Sequence, residues 1–245
     1  MKKLKMDIVI TMGGVGSRFR KAGYTLPKYM IEAKGKTLFE WSLISLEGYK
    51  DVADRYIFVA LKDEKADVEN FIRSECGKLG LENYRIILLD QVTDGQATSA
   101  LIASQCWNPE NPILIYNIDT YVEPGEMKSS DIKGDGHIPC FHAEGEHWSF
   151  VRLDGHSKAV EVREKKRISD NCTLGAYYFS SGDLYSRIYQ EYYGDNKNLE
   201  KNEKYVAPLY NHMIKQGLEV TISIVDFRKV HVLGTPKELD AFINK

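Results

Sequence analysis

Residues 12–30, MGGVGSRFRKAGYTLPKYM, follow directly on the apolar run DIVIT, residues 7–11. Gly13, Gly14 and Gly16 open the stretch, and Arg18, Arg20, Lys21 and Lys28 follow. No acidic residue stands between Asp7 and Glu32. An apolar, β-rich run without polar alternation reads as a strand covered on both faces. Glycines at its carboxyl end let the backbone approach a ligand closely and turn successive N–H groups toward phosphate oxygens. In an open parallel sheet, ligands sit at that end of the strands. The stretch therefore predicts an α/β fold and an anionic ligand together.

Two common phosphate motifs do not fit. A dinucleotide fingerprint needs G-x-G-x-x-G running straight into a helix, whereas Gly14-Val15-Gly16 is followed by Ser17-Arg18-Phe19. Gly35-Lys36-Thr37 has the ending of a P-loop, but Met30 stands where its first glycine belongs. What remains is G-G-x-G-S-R, then Pro27-Lys28. Pro27 forces Leu26 extended and so presents Lys28 from a fixed backbone. An arginine and a lysine converging on a glycine loop suit a triphosphate attacked at its α-phosphorus, where fixed cations offset developing oxygen charge.

The rest of the chain sets the frame. At 245 residues it is long enough for one large domain with a sizeable core, and a net charge of −2 gives no global field for nucleic acid. Four widely spaced cysteines (Cys76, Cys106, Cys140, Cys172) form no C-x-x-C pair and read as reduced thiols. The basic start MKKLK lacks a following apolar region long enough for export, and no run approaches a membrane span, so a cytoplasmic protein without a membrane partner is expected.

Apolar runs at 8–11, 56–61, 85–89 and 113–118 alternate with helical patterns at 37–47, 64–79 and 96–106, the first opened by a Thr37–Glu40 capping box. This β-α-β order predicts a doubly wound parallel sheet. Strand candidates at 150–154, 159–164 and 173–180, separated by short polar turns, predict an antiparallel part. Helices at 183–193 and 204–216, a strand at 220–225 and a helix at 236–243 close the chain. One α/β domain with a mixed, mostly parallel sheet is expected.

With these residues in place, MGGVGSRF…LPKYMIEAKGKTLFEWSLISL resembles the signature of the sugar-phosphate nucleotidyltransferases, G-G-x-G-[ST]-R-[LF]…P-K. Further segments match in family order. QVTDGQA (91–97) resembles the base-reading segment, with Gln91 and Gly95 as contacts; it also reads as an ordinary Asp-Gly turn. Asp119 closes the run ILIYNID, and the resemblance makes it the ligand of a Mg²⁺ bridging the phosphates. VREKK (162–166) resembles the E-K-P segment, where Glu164 would contact an acceptor sugar and Lys165 its phosphate; Lys166 replaces the proline. LGTPKEL (233–239) resembles the closing G-T-P-E-D-L, but Val232 stands where relatives carry a second metal aspartate; either Asp226 or His231, the nearest candidates, supplies the ligand, or one protein carboxylate suffices alongside waters and phosphates.

The resemblance implies a Rossmann-like (GT-A-like) single domain, with residues 1–125 as nucleotide-binding half and 126–245 as acceptor-binding half. It implies transfer of NMP from an NTP, a pyrimidine nucleotide favoured, to a sugar 1-phosphate or similar acceptor, with release of pyrophosphate. Arg18 and the loop Gly13, Gly14, Gly16, Ser17 would hold the β and γ phosphates, Lys28 the α-phosphate and Asp119 the Mg²⁺. The stretch 147–179 is similar to a branch of capsule and surface-polysaccharide enzymes. Alternatives are a cytidylyltransferase for phosphocholine or another non-sugar phosphate, a GT-A glycosyltransferase consuming a nucleotide-sugar, and a non-catalytic nucleotide-sensing module. A homo-oligomer is left open.

Overall fold

The computed structural model describes residues 5–244; Met1–Leu4 of the basic start lie outside the described residues. The first half lays down β1 (Met6–Met12), α1 (Ser17–Lys21), the short ribbon β2 (Glu32–Ala33) and β3 (Lys36–Thr37), then α2 (Leu38–Ile44). It continues with β4 (Ala53–Leu61), α3 (Val68–Lys78), β5 (Tyr84–Leu89), α4 (Gln96–Ile102), β6 (Ile113–Asn117) and β7 (Thr120–Val122). The capping box of α2 is formed on both sides: Glu40 N donates to Thr37 Oγ1 at 3.1 Å, and Thr37 N donates to Glu40 Oε2 at 2.8 Å.

The second half adds β8 (Gly136–His142), β9 (Ser149–Leu153), β10 (Ala159–Glu164), β11 (Asn171–Thr173) and β12 (Ala176–Phe179). It closes with α5 (Gly182–Tyr193), α6 (Leu209–Lys215), β13 (Val220–Val225), β14 (Val230–Val232) and α7 (Pro236–Ile243). The strand expected over 173–180 is two strands, interrupted at Leu174–Gly175.

Ten strands form one mixed sheet in the order β10-β9-β11-β8-β12-β6-β1-β4-β5, with β13 added beside β8. β1 is parallel to both β4 and β6, and β4 to β5, as the alternating first half predicts. β12 then runs antiparallel to β6, and the second half continues antiparallel except for the parallel pair β8–β13. β8 was not expected from the sequence, because Pro139 interrupts a run that otherwise pairs on both sides.

Alternate residues of the parallel strands feed two cores. Ile8, Ile10, Phe58 and Ala60 pack with α2 and α3 residues on one face. Val9, Ile57, Val59 and Ile115 pack with residues of α4, α5 and α6 on the other. A third cluster joins Phe19 of α1 to Leu239 and Phe242 of α7. Covering both faces explains why these strands read as continuous apolar runs. Among the described residues no helix is long and apolar enough to cross a membrane.

Candidate active site

The ends of β1 and β6 and the start of α4 open on one cleft of about 710 Å³. From Met12 the chain turns through the glycines into α1, and Gly16 stands at its start in the left-handed region, φ 61, which favours glycine. A helix directly after the glycines was not expected. It forms because Phe19 is buried, edge-on to Tyr24 with ring centroids 5.3 Å apart. Gly13, Gly14 and Arg18 line the cleft, whereas Gly16 makes the turn and exposed Ser17 begins the helix, both outside the lining.

Two of the four cations face the cleft. Arg18 is exposed there, with no ion-pair partner among the described residues, and Lys28 enters from a single 3-10 turn after Pro27 at φ −51. Arg20 is turned away and donates to the Asp63 carboxylate and the Thr25 carbonyl. Exposed Lys21 lies outside the lining.

Asp119 follows β6, and Lys28 Nζ donates to its Oδ2 at 2.7 Å. Burial raises the Asp119 carboxyl, but the Lys28 ammonium, its hydrogen bond and the nearby Arg18 outweigh this and hold it below the usual carboxylate value. The C-terminal β14 pairs with β7, placing Val232 opposite Thr120, and Leu233 N donates to Asp119 O at 2.8 Å. This pairing brings up a carboxylate that the sequence did not single out. A point one bond off the Gly234 backbone, where a Cβ would stand, lies 3.3 Å from Asp119 Oδ2 and 3.6 Å from Glu238 Oε2.

Neither candidate for a second metal ligand joins them. Asp226 is paired with Arg228, which holds its carboxyl near a pKa of about 2. His231 lies 3.3 Å from Glu123 and stacks on Tyr121. Among the described residues no group of three or more His, Cys, Asp or Glu is gathered as for a protein-caged metal. Two carboxylates at the cleft wall suit a hard cation that keeps most of its shell for water and phosphate oxygens, which is how Mg²⁺ binds.

The segment expected to read a base brings a different glutamine to the cleft. β5 ends at Leu89, and Gln91 is exposed and outside the cleft lining, because the chain has already left the sheet. Gln96, the first residue of α4, lines the cleft instead; its Nε2 donates to Thr11 Oγ1 at 3.1 Å and to Asn117 Oδ1. Gly95 keeps its expected place in the lining.

At the other end, Glu164 ends β10 and accepts from the Ser149 hydroxyl of the neighbouring strand. Lys165 Nζ stands 3.5 Å from Glu164 Oε1 and donates to Tyr205 Oη at 2.8 Å. Its backbone is held in the left-handed region, φ 50, with Lys165 N donating to Trp148 O at 2.9 Å. Lys166 is exposed, so the residue in place of proline points no charge into the cleft. His147 and Trp148 add an aromatic rim, with ring centroids 4.1 Å apart, and Tyr177 lies buried beneath.

A mixed sheet with a glycine loop, two cations and a carboxylate at its strand ends defines a Rossmann-like α/β protein with a charged cleft. The nucleoside-diphosphate-sugar pyrophosphorylase from Vibrio cholerae is 34% identical, over 97% of this chain and 100% of that one, with a TM-score of 0.89. The chain belongs to the sugar-phosphate nucleotidyltransferase family. The inositol-1-phosphate CTP transferase from T. maritima (16% identity, 99% of this chain and 97% of that one, TM-score 0.75) shares the fold. So does a Bacillus anthracis protein assigned as a glucose-1-phosphate thymidylyltransferase, at 16% identity over 98% of this chain and 94% of that one, TM-score 0.78. No protein-family model and no curated protein matches the chain.

Proposed function

We propose that the protein transfers a nucleoside monophosphate from an NTP to a sugar 1-phosphate or similar phosphorylated small molecule, releasing pyrophosphate. The observation that carries this is the placement of charge at both ends of one cleft: Arg18, Lys28 and Asp119 at one, Glu164 and Lys165 at the other. A cleft for a finished nucleotide-sugar has no need of a separate cation for an acceptor phosphate.

In this reading residues 1–125 supply the nucleotide half and 126–245 the acceptor half, with Glu238 reaching back across. Arg18 and the amides of Gly13 and Gly14 bind the β and γ phosphates, and Lys28 the α-phosphate. Gln96, its Nε2 held by Thr11 and Asn117, leaves a carbonyl oxygen to accept from a base edge. Lys165 orients the acceptor phosphate, and Glu164 accepts from a hydroxyl. An acceptor oxygen bonds to the α-phosphorus while the bond to the pyrophosphate oxygen breaks. A phosphate dianion is already nucleophilic near neutral pH, so the chain contributes positioning and charge stabilisation without a covalent intermediate. Asp119 and Glu238 would hold Mg²⁺, which supplies neutralisation of phosphate-oxygen charge. The nucleotide-diphospho product would serve surface-polysaccharide assembly in the cytoplasm.

The test is pyrophosphate release with ATP, CTP, GTP, UTP and dTTP, each with Mg²⁺, against a panel of phosphorylated sugars and phosphocholine. Pyrophosphate should appear in step with one nucleotide-diphospho product. Consumption of a nucleotide-sugar with release of NDP would replace this proposal with a glycosyltransferase.

A further inference from the structure

Resting on the nucleotidyltransferase reading above, we infer that residues 202–206 form a strap, anchored on the nucleobase loop by Lys204, through which that loop positions Lys165 by way of Tyr205. The anchor is a two-rung backbone pairing. Lys204 N donates to Asp94 O at 2.8 Å, and Ala97 N donates to Lys204 O at 2.9 Å. Between the rungs stands Gly95, at φ +146, where a Cβ would lie 2.4 Å from Lys204 O and 2.5 Å from Lys204 N. No side chain fits there, so the close approach depends on glycine.

The side chain locks what the backbone aligns. Lys204 Nζ pairs with Asp94 Oδ2 at 2.7 Å, its side chain 9% exposed, and lies 5.8 Å from the centre of the Tyr189 ring. Burial raises the Asp94 carboxyl, but hydrogen bonds from Lys204 and Thr98 outweigh it and keep it charged. Lys204 is thus a buried ammonium spent wholly within the protein, on the loop that carries Gly95 and Gln96.

Alternation along the strap does the rest. Lys204 points to the nucleobase loop, while Glu203 and Tyr205 on either side line the cleft. Tyr205 O accepts from Tyr193 Oη at 2.7 Å, which fixes its backbone. Its hydroxyl accepts from Lys165 Nζ at 2.8 Å, and its ring centre lies 4.5 Å from that ammonium. A chain of direct contacts therefore runs from Gly95 through Lys204 and Tyr205 to Lys165. Tyr205 and Lys204 are positioning residues, since each acts through Lys165.

Lys165 itself reports whether the chain of contacts holds, with no need to know the acceptor. The groups around its ammonium are Glu164, the residue before it, with Tyr205 on the strap and Glu200 beside it, while Glu203 faces Tyr205. Burial lowers the Lys165 pKa, but Tyr205 and Glu164 outweigh it and leave it raised. Losing the Tyr205 contact should lower it and expose more free amine. The experiment is competitive labelling of the full chain with acetic anhydride between pH 8 and 10, read at Lys165 by mass spectrometry.

Tyr205→Phe keeps the ring and removes the hydroxyl; labelling should rise about threefold, the change expected for half a pKa unit. Lys204→Met should give the same rise from a distance, and the double variant no more than either single, because both act on one contact. If Lys204→Met fails to fold, Asp94→Asn releases the same anchor with little change of shape and should give the same result. Unchanged labelling in Tyr205→Phe, or a rise there without one in the anchor variant, overturns the inference. Wild-type enzyme that released no pyrophosphate with any NTP and acceptor would sink the nucleotidyltransferase proposal instead, and leave the labelling result standing.

Discussion

At the proposed nucleotide end of the cleft, Lys28 and Asp119 meet at 2.7 Å beside the ends of parallel strands, with Arg18 exposed next to them. At the proposed acceptor end, Lys165 stands 3.5 Å from Glu164, the end of edge strand β10, and donates to a tyrosine from a loop forty residues later in the chain. In the proposed function the charges of the first end meet a polyphosphate. The second carries a balanced pair, a strap and an aromatic rim of His147 and Trp148. A group common to every NTP needs one invariant set of charges. An acceptor that differs between enzymes is met by residues hung on connections, which vary without disturbing the sheet.

Asp119→Asn should break the nucleotide end hardest. It keeps the shape but removes the anionic oxygen, and pyrophosphate release should fall by about a hundredfold or more, as for loss of an electrostatic stabiliser. Near-normal turnover would mean that Asp119 does not hold the metal. Lys28→Met should follow, lowering kcat by roughly a hundredfold with a smaller change in KM for the NTP. The same variant moves Asp119: without the ammonium, burial is the main influence left, so its carboxyl should titrate at higher pH. In the wild type, whose Asp119 pKa is depressed, the stabilisation is present above the ordinary carboxylate pKa and is lost as pH falls through the folded value. Acid unfolding of Lys28→Met should therefore begin at higher pH than in wild type.

The acceptor end should answer differently. Lys165→Met should raise the acceptor KM by about ten- to a hundredfold, the loss of a charge-assisted contact of roughly 1.5–3 kcal/mol, while the NTP curve stays close to wild type. Weakened NTP with an untouched acceptor would show that the two ends have been assigned the wrong way round. Val232→Asp should have the smallest effect. It sets a carboxylate opposite Thr120, near Asp119; turnover should stay within about threefold, and half-saturation by Mg²⁺ should move to lower concentration. An unchanged half-saturation would instead indicate that Glu238 already fills the need.

What the sequence discloses follows the same division. DIVIT, its glycines and the Thr37–Glu40 box are local patterns, so β1, the turn after it and the start of α2 could be read directly. Asp119 was legible because a strand end is a defined place in a parallel sheet. That Gln96 rather than Gln91 lines the cleft was not legible, since the side chain that enters the cleft depends on where α4 begins, beside the close contact of Gly95 with Lys204. Glu238 was invisible because only the pairing of β14 with β7 carries it to Asp119. Tyr205 reads as one tyrosine among fifteen until the fold brings it to Lys165. Pro139 hid β8, although the strand on which it sits pairs on both sides.

The pairing of β14 with β7 also bears on the order in which the molecule is made. A ribosome finishes the strands of the ten-stranded sheet by Val225, while Leu233, Gly234 and Glu238 are still to come. At about 5–20 residues per second, the strands up to β12 are made seconds before residues 230–243. Only then do Leu239 and Phe242 of α7 reach Phe19 of α1, and Leu233 reach the Asp119 carbonyl. In chain order the strands of the sheet therefore precede the residues that wall the cleft beside Asp119. The docking of residues 230–243 is the step that joins the two.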